Sequence, residues 1–327
     1  MQLLLLNTLL SSLEIGYIFI GIFGFLLLLF ILFLGIGELA LYHLFSHKKM
    51  DQRFKKNIKN EKNPFNKLVD FDYVNNHPFS EIELKANDKI KLVSRLYKAK
   101  NNSHYYLISS HGYTGSHLDQ TVLFHHLQDK YNLNLLLITQ RGHGSSGGRY
   151  TTMGIKESFD LKLWVEHLKS LDQEAKILIF GSSFGAATAL FTASDISNEL
   201  IGVIADAPFT SPYNEYKSLL SAQLKNLYLL ELTPLYLSAK LLHGIDYKSR
   251  DLSRDAKKIT CPVLITHGKN DRSVYPEHSE IIFNSLPKNP LNKRALYENG
   301  RHCLSAFYHK DEYYQEIEEF LNKILVS

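Results

Sequence analysis

Cysteine is scarce in this 327-residue chain: Cys261 and Cys303 are too few for a disulfide-braced scaffold, and neither belongs to a C-x-x-C pair that could hold zinc. Both read as free thiols of a reducing compartment. Lysine and arginine are missing from the first 46 residues, whose only charges are the acids Glu14 and Glu38. That removes the basic n-region of a cleaved signal peptide, and no small-x-small site follows the apolar run. A charge bias is also lacking in the rest of the chain. Beyond residue 67 there are 29 basic and 29 acidic residues, so the formal net charge of +4 originates elsewhere. A nucleic-acid binder would carry its excess on the folded domain, so nucleic acid is not expected as a partner. A charged fraction of 21% with 12% aromatics excludes wholesale disorder. No internal repeat is visible.

What the N-terminal region does have is an apolar run. From Gly16 to Gly37 there are 22 residues without a charge. At about 1.5 Å per residue a helix of that length spans roughly 33 Å, enough for a hydrocarbon core of ~30 Å. A buried helix of a soluble protein is rarely uncharged on every face for about six turns. Residues 1–46 are therefore expected to be a membrane anchor, with the span at about 16–37. Residues 47–67 follow with eight basic side chains against Asp51 and Glu61 and read as a basic juxtamembrane stalk. Lys and Arg beside a span are retained on the cytoplasmic side. The expectation is an outer N-terminus, a stalk near anionic headgroups and a folded domain, residues 68–327, in the cytoplasm.

Past the stalk the pattern alternates. Ser80–Leu84 and Ile90–Tyr97 alternate as strands do around a turn at Asn87-Asp88. Short apolar runs then suit parallel strands buried on both faces: Tyr105–Ser109, Leu133–Thr139, Lys176–Phe180, Leu200–Ala205, Val263–Thr266 and Arg294–Tyr297. Helical patterns lie between them; in Ile155–Leu171, Leu161, Trp164, Val165 and Leu168 fall at i, i+3, i+4, i+7. A last helix is expected near Gln315–Leu325. This is an α/β layer fold: a mostly parallel eight-stranded sheet with helices on both faces. One connection, about 210–258, is too long for an ordinary loop. Its helical patterns, Glu215–Leu230 and Pro234–Leu242, suggest a lid. The apolar lid side chains Leu219, Leu220, Leu224, Leu227, Tyr228, Leu229 and Leu230 favour an uncharged or lipid-like ligand.

The strongest chemical signal is Gly181-Ser182-Ser183-Phe184-Gly185, which follows a strand and opens a helix of small residues. This is G-x-S-x-G in a strand–turn–helix context, centred on Ser183, with its hydroxyl near a positive helix N-terminus. Such a serine needs a base and an acid that orients it. Asp271 follows the next-to-last strand and His302 the last, giving the order Ser183, Asp271, His302. The alternative for Asp271 is a cap on the helix near Pro276, and Asp206 and Glu298 are rival acids. For an oxyanion, the N–H of Phe184 is one donor. The other is expected from His111-Gly112-Tyr113-Thr114-Gly115, at Tyr113.

These motifs resemble the α/β-hydrolase superfamily over roughly Phe79 to Val326, and most of all bacterial membrane-anchored hydrolases of the esterase or serine-aminopeptidase type. The matching residues are His111–Gly115, Arg141-Gly142-His143-Gly144-Ser145-Ser146-Gly147-Gly148, Gly181–Gly185, Ala205-Asp206-Ala207-Pro208-Phe209, Asp271 and His302. The resemblance implies the α/β-hydrolase fold, the triad and no cofactor. Relatives with an H-G-F/Y-T-G loop include esterases of short and aromatic acyl groups, which favours a carboxylesterase acting through an acyl-enzyme on Ser183. The chain departs from the pattern at Thr139, where relatives usually have Asp, a position that bears on local loop geometry.

Three other features carry less. Gly142–Gly147 also matches G-x-G-x-x-G, but Gly148-Arg149-Tyr150-Thr151-Thr152 is a poor helix start, so dinucleotide binding is not expected. Arg141 and His143 are read as loop-structuring. Cys303 beside His302 is redundant as a nucleophile. His125 and His126 are adjacent in a helical pattern and point apart, so no metal site is expected. Two alternatives to the esterase remain. One is an aminopeptidase or amidase on the same triad, with Glu215 or Glu231 receiving a free amine. The other is a non-catalytic membrane-tethered binding protein. Substrate identity beyond a small or lipid-like ester, and the oligomeric state, are left open.

Overall fold

The computed structural model describes residues 2–224 and 228–325. Leu227 and Val326 lie outside the described residues, and so do the side chains of Leu224, Tyr228 and Leu229. The chain forms two compact units: Leu44–Leu219 with Tyr247–Ser327, and a smaller one of Met1–His43 with Leu220–Asp246.

The larger unit is built on one sheet. Its strands are β1 Ser80–Lys85, β2 Lys91–Tyr97, β3 Tyr105–Ser110, β4 Asn134–Thr139, β5 Lys176–Ser182, β6 Leu200–Asp206, β7 Val263–Gly268 and β8 Lys293–Tyr297. All eight stand where the alternating pattern put them, with ends that differ by at most two residues. They lie in the order β1-β2-β4-β3-β5-β6-β7-β8. β1 pairs with β2 and β2 with β4 antiparallel; every later pair is parallel. The continuous apolar runs explain this: all six residues of β4 and of β7 are buried, as strands covered on both faces must be.

The helices, in chain order, are α1 Gln2–Phe45, α2 His47–Lys59, α3 Phe71–Asn76, α4 Thr121–Tyr131, α5 Ile155–Leu171, α6 Phe184–Ile196, α7 Pro212–Leu224, α8 Tyr228–His243, α9 Leu252–Asp255, α10 Glu277–Ser285, α11 Ser305–Tyr308 and α12 Lys310–Leu325. α5 has the expected bounds, and α12 starts five residues before the expected Gln315. Tyr313, Ile317, Phe320, Leu321 and Ile324 form the buried stripe of α12. The segment read as a stalk is itself structured: α2 is followed by a 3-10 turn at Pro64–Leu68, and Met50 and Leu68 are buried.

The strand order reverses between β3 and its neighbours β4 and β5, the kind of point where open α/β sheets hold their sites at the carboxyl ends. Register does the rest. Ser110 stands beside Gly181, Ser182 beside Asp206, Asp206 beside Thr266, and Gly268 beside Tyr297. The loops leaving β3, β5, β6, β7 and β8 therefore start along one rim.

The smaller unit contains most of α1 and all of α8. Between Leu13 and Leu32 every large apolar side chain is exposed, from 44% at Phe30 to 71% at Tyr17. The stretch Leu13–Phe45 is long and apolar enough to cross a membrane. Lower on α1, the Glu38 carboxylate accepts a hydrogen bond from Ser238 Oγ at 3.0 Å and pairs with His243 Nε2 at 2.8 Å. Pro234, expected to open a helix, lies inside α8. A proline there removes one ladder bond; the contacts with Glu38 tie the part of α8 beyond it to α1.

Candidate active site

Ser183 sits between β5 and α6 at φ 52°, ψ −112°, a conformation that non-glycine residues rarely adopt. The sequence enforces it by what it leaves out. A Cβ on Gly185 would lie 1.9 Å from the Ser110 carbonyl oxygen, and one on Gly181 would lie 2.3 Å from that of Gly185. Only glycine lets the turn close this tightly. The Ser183 N–H donates to the Asp206 carbonyl at 2.7 Å, and Ala187 N donates to the Ser183 carbonyl at 3.0 Å. The main chain therefore fixes the hydroxyl at the start of α6.

His302, in the loop after β8, meets that hydroxyl: its Nε2 is 2.8 Å from Ser183 Oγ. Its Nδ1 is 2.6 Å from Asp271 Oδ2. Asp271, in the loop after β7, uses Oδ1 to accept from the N–H groups of Ser273 at 2.8 Å and Val274 at 3.0 Å. The carboxylate thus shapes its own turn while holding the imidazole; it does not cap α10, whose N-cap is Pro276. His267, not singled out from the sequence, adds Nε2 at 3.2 Å from Asp271 Oδ2 and 2.9 Å from the Val274 carbonyl.

The electrostatics strengthen the imidazole as a base. Burial acts to raise the Asp271 pKa, but hydrogen bonds from His267 and His302 and the Val274 N–H outweigh it and hold it well below the usual carboxylate range. Burial works against charging His302, but the hydrogen bond and charge of Asp271 prevail, with smaller pulls from Glu215 and Asp206, and raise its pKa. The rival acids are engaged elsewhere. Asp206 Oδ1 accepts from Thr266 Oγ1 at 2.8 Å, and burial pushes its carboxyl up to about 6. Glu298 pairs with Lys269 at the surface. Cys303 Sγ is 3.8 Å from His302 Nε2, but burial raises its thiol pKa well above the ordinary value, so it lacks thiolate character.

Phe184 is the first residue of α6 and is fully buried. Facing it is the loop after β3. The carbonyl of Tyr113 lies 2.6 Å from His143 Nε2, while Asp119 accepts from Gly112 N at 3.3 Å and Ser116 N at 3.2 Å. This loop and the turn at Ser183 line a cavity of about 280 Å³ together with His302 and Cys303. Arg141 is spent on structure: its Nε and Nη2 each donate to Asp160 at 2.6 Å, and Nη1 donates to Asp88 at 2.7 Å. His125 and His126 turn to different partners, Asp70 and Glu318.

Of the expected lid side chains, Leu219 lines the cavity, as does the acid Glu215, whose carboxyl burial pushes up to about 7. Phe54, Ile58, Phe65 and Val69 line it too, and the charge-based reading of that segment missed them. The signal was present: Met50, Phe54 and Ile58 recur at i, i+4, i+8 among the basic residues.

Comparison with known proteins agrees with this architecture. The chain is 32% identical over 228 residues to the uncharacterized protein YqkD of Bacillus subtilis, covering 67% of this chain and 71% of that one. It is 26% identical over 254 residues to the uncharacterized membrane protein YNL320W of Saccharomyces cerevisiae, covering 75% of this chain and 80% of that one. In fold it is similar to the Pyrococcus furiosus esterase Pf2001, with a TM-score of 0.61 at 24% identity, over 77% of this chain and 93% of the other. The model of the prolyl oligopeptidase family matches residues 139–327, more than half of the length. The chain is an α/β hydrolase and belongs to the prolyl oligopeptidase family.

Proposed function

We propose that this hydrolase is a membrane-anchored serine esterase that cleaves carboxylic esters through an acyl-enzyme on Ser183. The observation that carries the proposal is the unbroken relay from hydroxyl to imidazole to carboxylate, with contacts of 2.8 and 2.6 Å. His302 Nε2 takes the Ser183 proton as the hydroxyl oxygen attacks the ester carbonyl. Asp271 accepts the Nδ1 proton's hydrogen bond, which leaves Nε2 free as the base and stabilises the imidazolium that forms. The N–H groups of Phe184 and Tyr113 receive the negative oxygen of the tetrahedral intermediate. The intermediate collapses, the alcohol leaves with the proton from His302, and water deacylates the serine by the same steps. No metal or cofactor is invoked.

A fluorophosphonate probe tests the chemistry: it should label Ser183 in the folded protein, and Ser183→Ala should abolish both labelling and ester hydrolysis. A folded, unlabelled wild type would end the proposal. The exposed apolar length of α1 supports the anchor, since monomeric proteins rarely show water so large an apolar surface. The yeast relative named as a membrane protein supports it as well. Sedimentation with membranes after alkaline carbonate washing is the expected result, with the domain protected from protease in intact cells if it is cytoplasmic.

One observation favours a second reading. Glu215 lines the cavity as a buried carboxyl and would suit a free amine, as an aminopeptidase requires. Parallel assays on p-nitrophenyl esters and amino-acid p-nitroanilides separate the two.

A further inference from the structure

The helix that follows the apolar α1 forms part of the cavity wall. Phe54 and Ile58 of α2, with Phe65 and Val69 just beyond it, line the same cavity as Ser183 and His302. The apolar side of α2 thus faces the cavity, while Lys55, Lys56 and Lys59 stay exposed.

The same segment grips the loop that carries Tyr113. Arg53 Nη1 donates to Tyr113 Oη at 2.9 Å and to the Leu44 carbonyl at 3.0 Å. Tyr113 Oη in turn donates to the Leu44 carbonyl, and the Phe45 ring packs edge-on against Tyr113 at 6.0 Å. Asn57 Nδ2 donates to Thr114 Oγ1 at 3.3 Å. The neighbouring glycine loop is tied down as well: Gly144 N donates to Asp51 Oδ1 at 3.0 Å, and Ser46 bridges to Tyr150. His143 in that loop contacts the Tyr113 carbonyl, so Arg53 and His143 both hold Tyr113, one by its side chain and one by its main chain.

We infer that residues 44–69 are part of the substrate-binding apparatus. In this assignment Phe54, Ile58, Phe65 and Val69 receive the aliphatic acyl chain of an uncharged ester, and Arg53 is a positioning residue for the oxyanion loop through the Tyr113 side chain. The inference rests on the serine-esterase reading and names its substrate class. Two features define that class. The cavity is lined by the carboxyls of Asp119 and Glu215 and by no lysine or arginine among the described residues, which disfavours a second carboxylate on the acyl group. Its volume of about 280 Å³ lies near the lower end of small-molecule sites, roughly 300–1,000 Å³, which suits a medium chain better than a bulky polycyclic one.

The test uses the full chain in detergent micelles, with p-nitrophenyl acetate and p-nitrophenyl octanoate as probes. Ile58→Trp fills the wall at a partly exposed helix position, where the bulk does not threaten folding. The octanoate-to-acetate ratio of kcat/KM should fall by about tenfold or more. Arg53→Met should lower kcat for acetate roughly tenfold while KM stays within about twofold, and Arg53→Lys, which restores a donor to Tyr113, should recover most of the loss. A wild type labelled at Ser183 whose ratio Ile58→Trp leaves unmoved would overturn the acyl-wall assignment and leave the esterase standing. Equal kcat in Arg53→Met, or no recovery in Arg53→Lys, would overturn the positioning role. A wild type that takes no label would overturn the esterase and this inference together.

Discussion

Replacing Asp271 by Asn isolates what the carboxylate does for the base. Asn keeps the shape, and its Oδ1 can still accept from Ser273 N and Val274 N, so the turn after β7 survives. The change falls on the atom now 2.6 Å from His302 Nδ1. A carboxylate oxygen there accepts the Nδ1 proton; an amide NH₂ donates, and Nδ1 must become the acceptor. The single ring proton then moves to Nε2, which faces Ser183 Oγ at 2.8 Å as a donor and can no longer take the serine proton. Loss of the correct tautomer in a serine triad costs roughly 10³–10⁴-fold in kcat, or about 4–5.5 kcal/mol of barrier. The expected kcat/KM on p-nitrophenyl esters falls by that factor per mole of folded protein. Stability moves as well. The folded pKa of Asp271 lies below its unfolded value, so the carboxylate contributes stability above the unfolded value, and this is lost as the pH falls through the folded one. Asp271→Asn should therefore melt below wild type at pH 7, and the two should converge in acid. A folded variant with more than about a tenth of wild-type kcat/KM would refute the tautomer argument.

The wild-type pH–rate profile should show activity rising with pH through a group above the ordinary imidazole value, because His302 must be neutral to act and its pKa is raised; a limb at or below that value would contradict the Asp271 contact. Asp206→Asn retains an acceptor for Thr266 and removes a buried carboxyl whose pKa stands at about 6. A raised Asp pKa means stability falls as pH rises from the unfolded value through the folded one, so the variant should gain up to roughly 3 kcal/mol in chemical denaturation at pH 8 and only a small fraction of that at pH 4. Gly185→Ala drives a Cβ to 1.9 Å from the Ser110 carbonyl oxygen, where main chain cannot yield. It should cost about 3 kcal/mol or more in denaturant titration, or fail to fold.

The strands were legible because burial on both faces leaves short apolar runs between loop residues, as in β4, where Leu135, Leu136, Leu137 and Ile138 are all buried. The positions of Ser183, Asp271 and His302 were legible for a related reason: each stands at the end of such a run, and parallel strands bring their ends together. Composition hid what it averages. Eight basic residues in 47–67 dominate the charge count, so the apolar stripe of Met50, Phe54 and Ile58 was overlooked and the segment read as a tether. The Tyr113 side chain escaped for another reason. The sequence argument needed only its N–H, whereas its hydroxyl contacts Arg53 and Leu44, a partnership 60 to 69 residues distant that no local pattern encodes. Pro234 misled because a proline commonly opens a helix, while here α8 runs through it.

The backbone of Ser183 is held by main-chain hydrogen bonds and two missing methyl groups, not by neighbouring side chains. Nothing in that seat depends on the shape of the compound being attacked. Much of the cavity wall lies instead on a separate stretch before the first strand and on the start of α7, with Met153 and Phe209 adding to it. On the proposed reading, grafting those two stretches should shift selectivity while the seat of the proposed nucleophile is inherited unchanged.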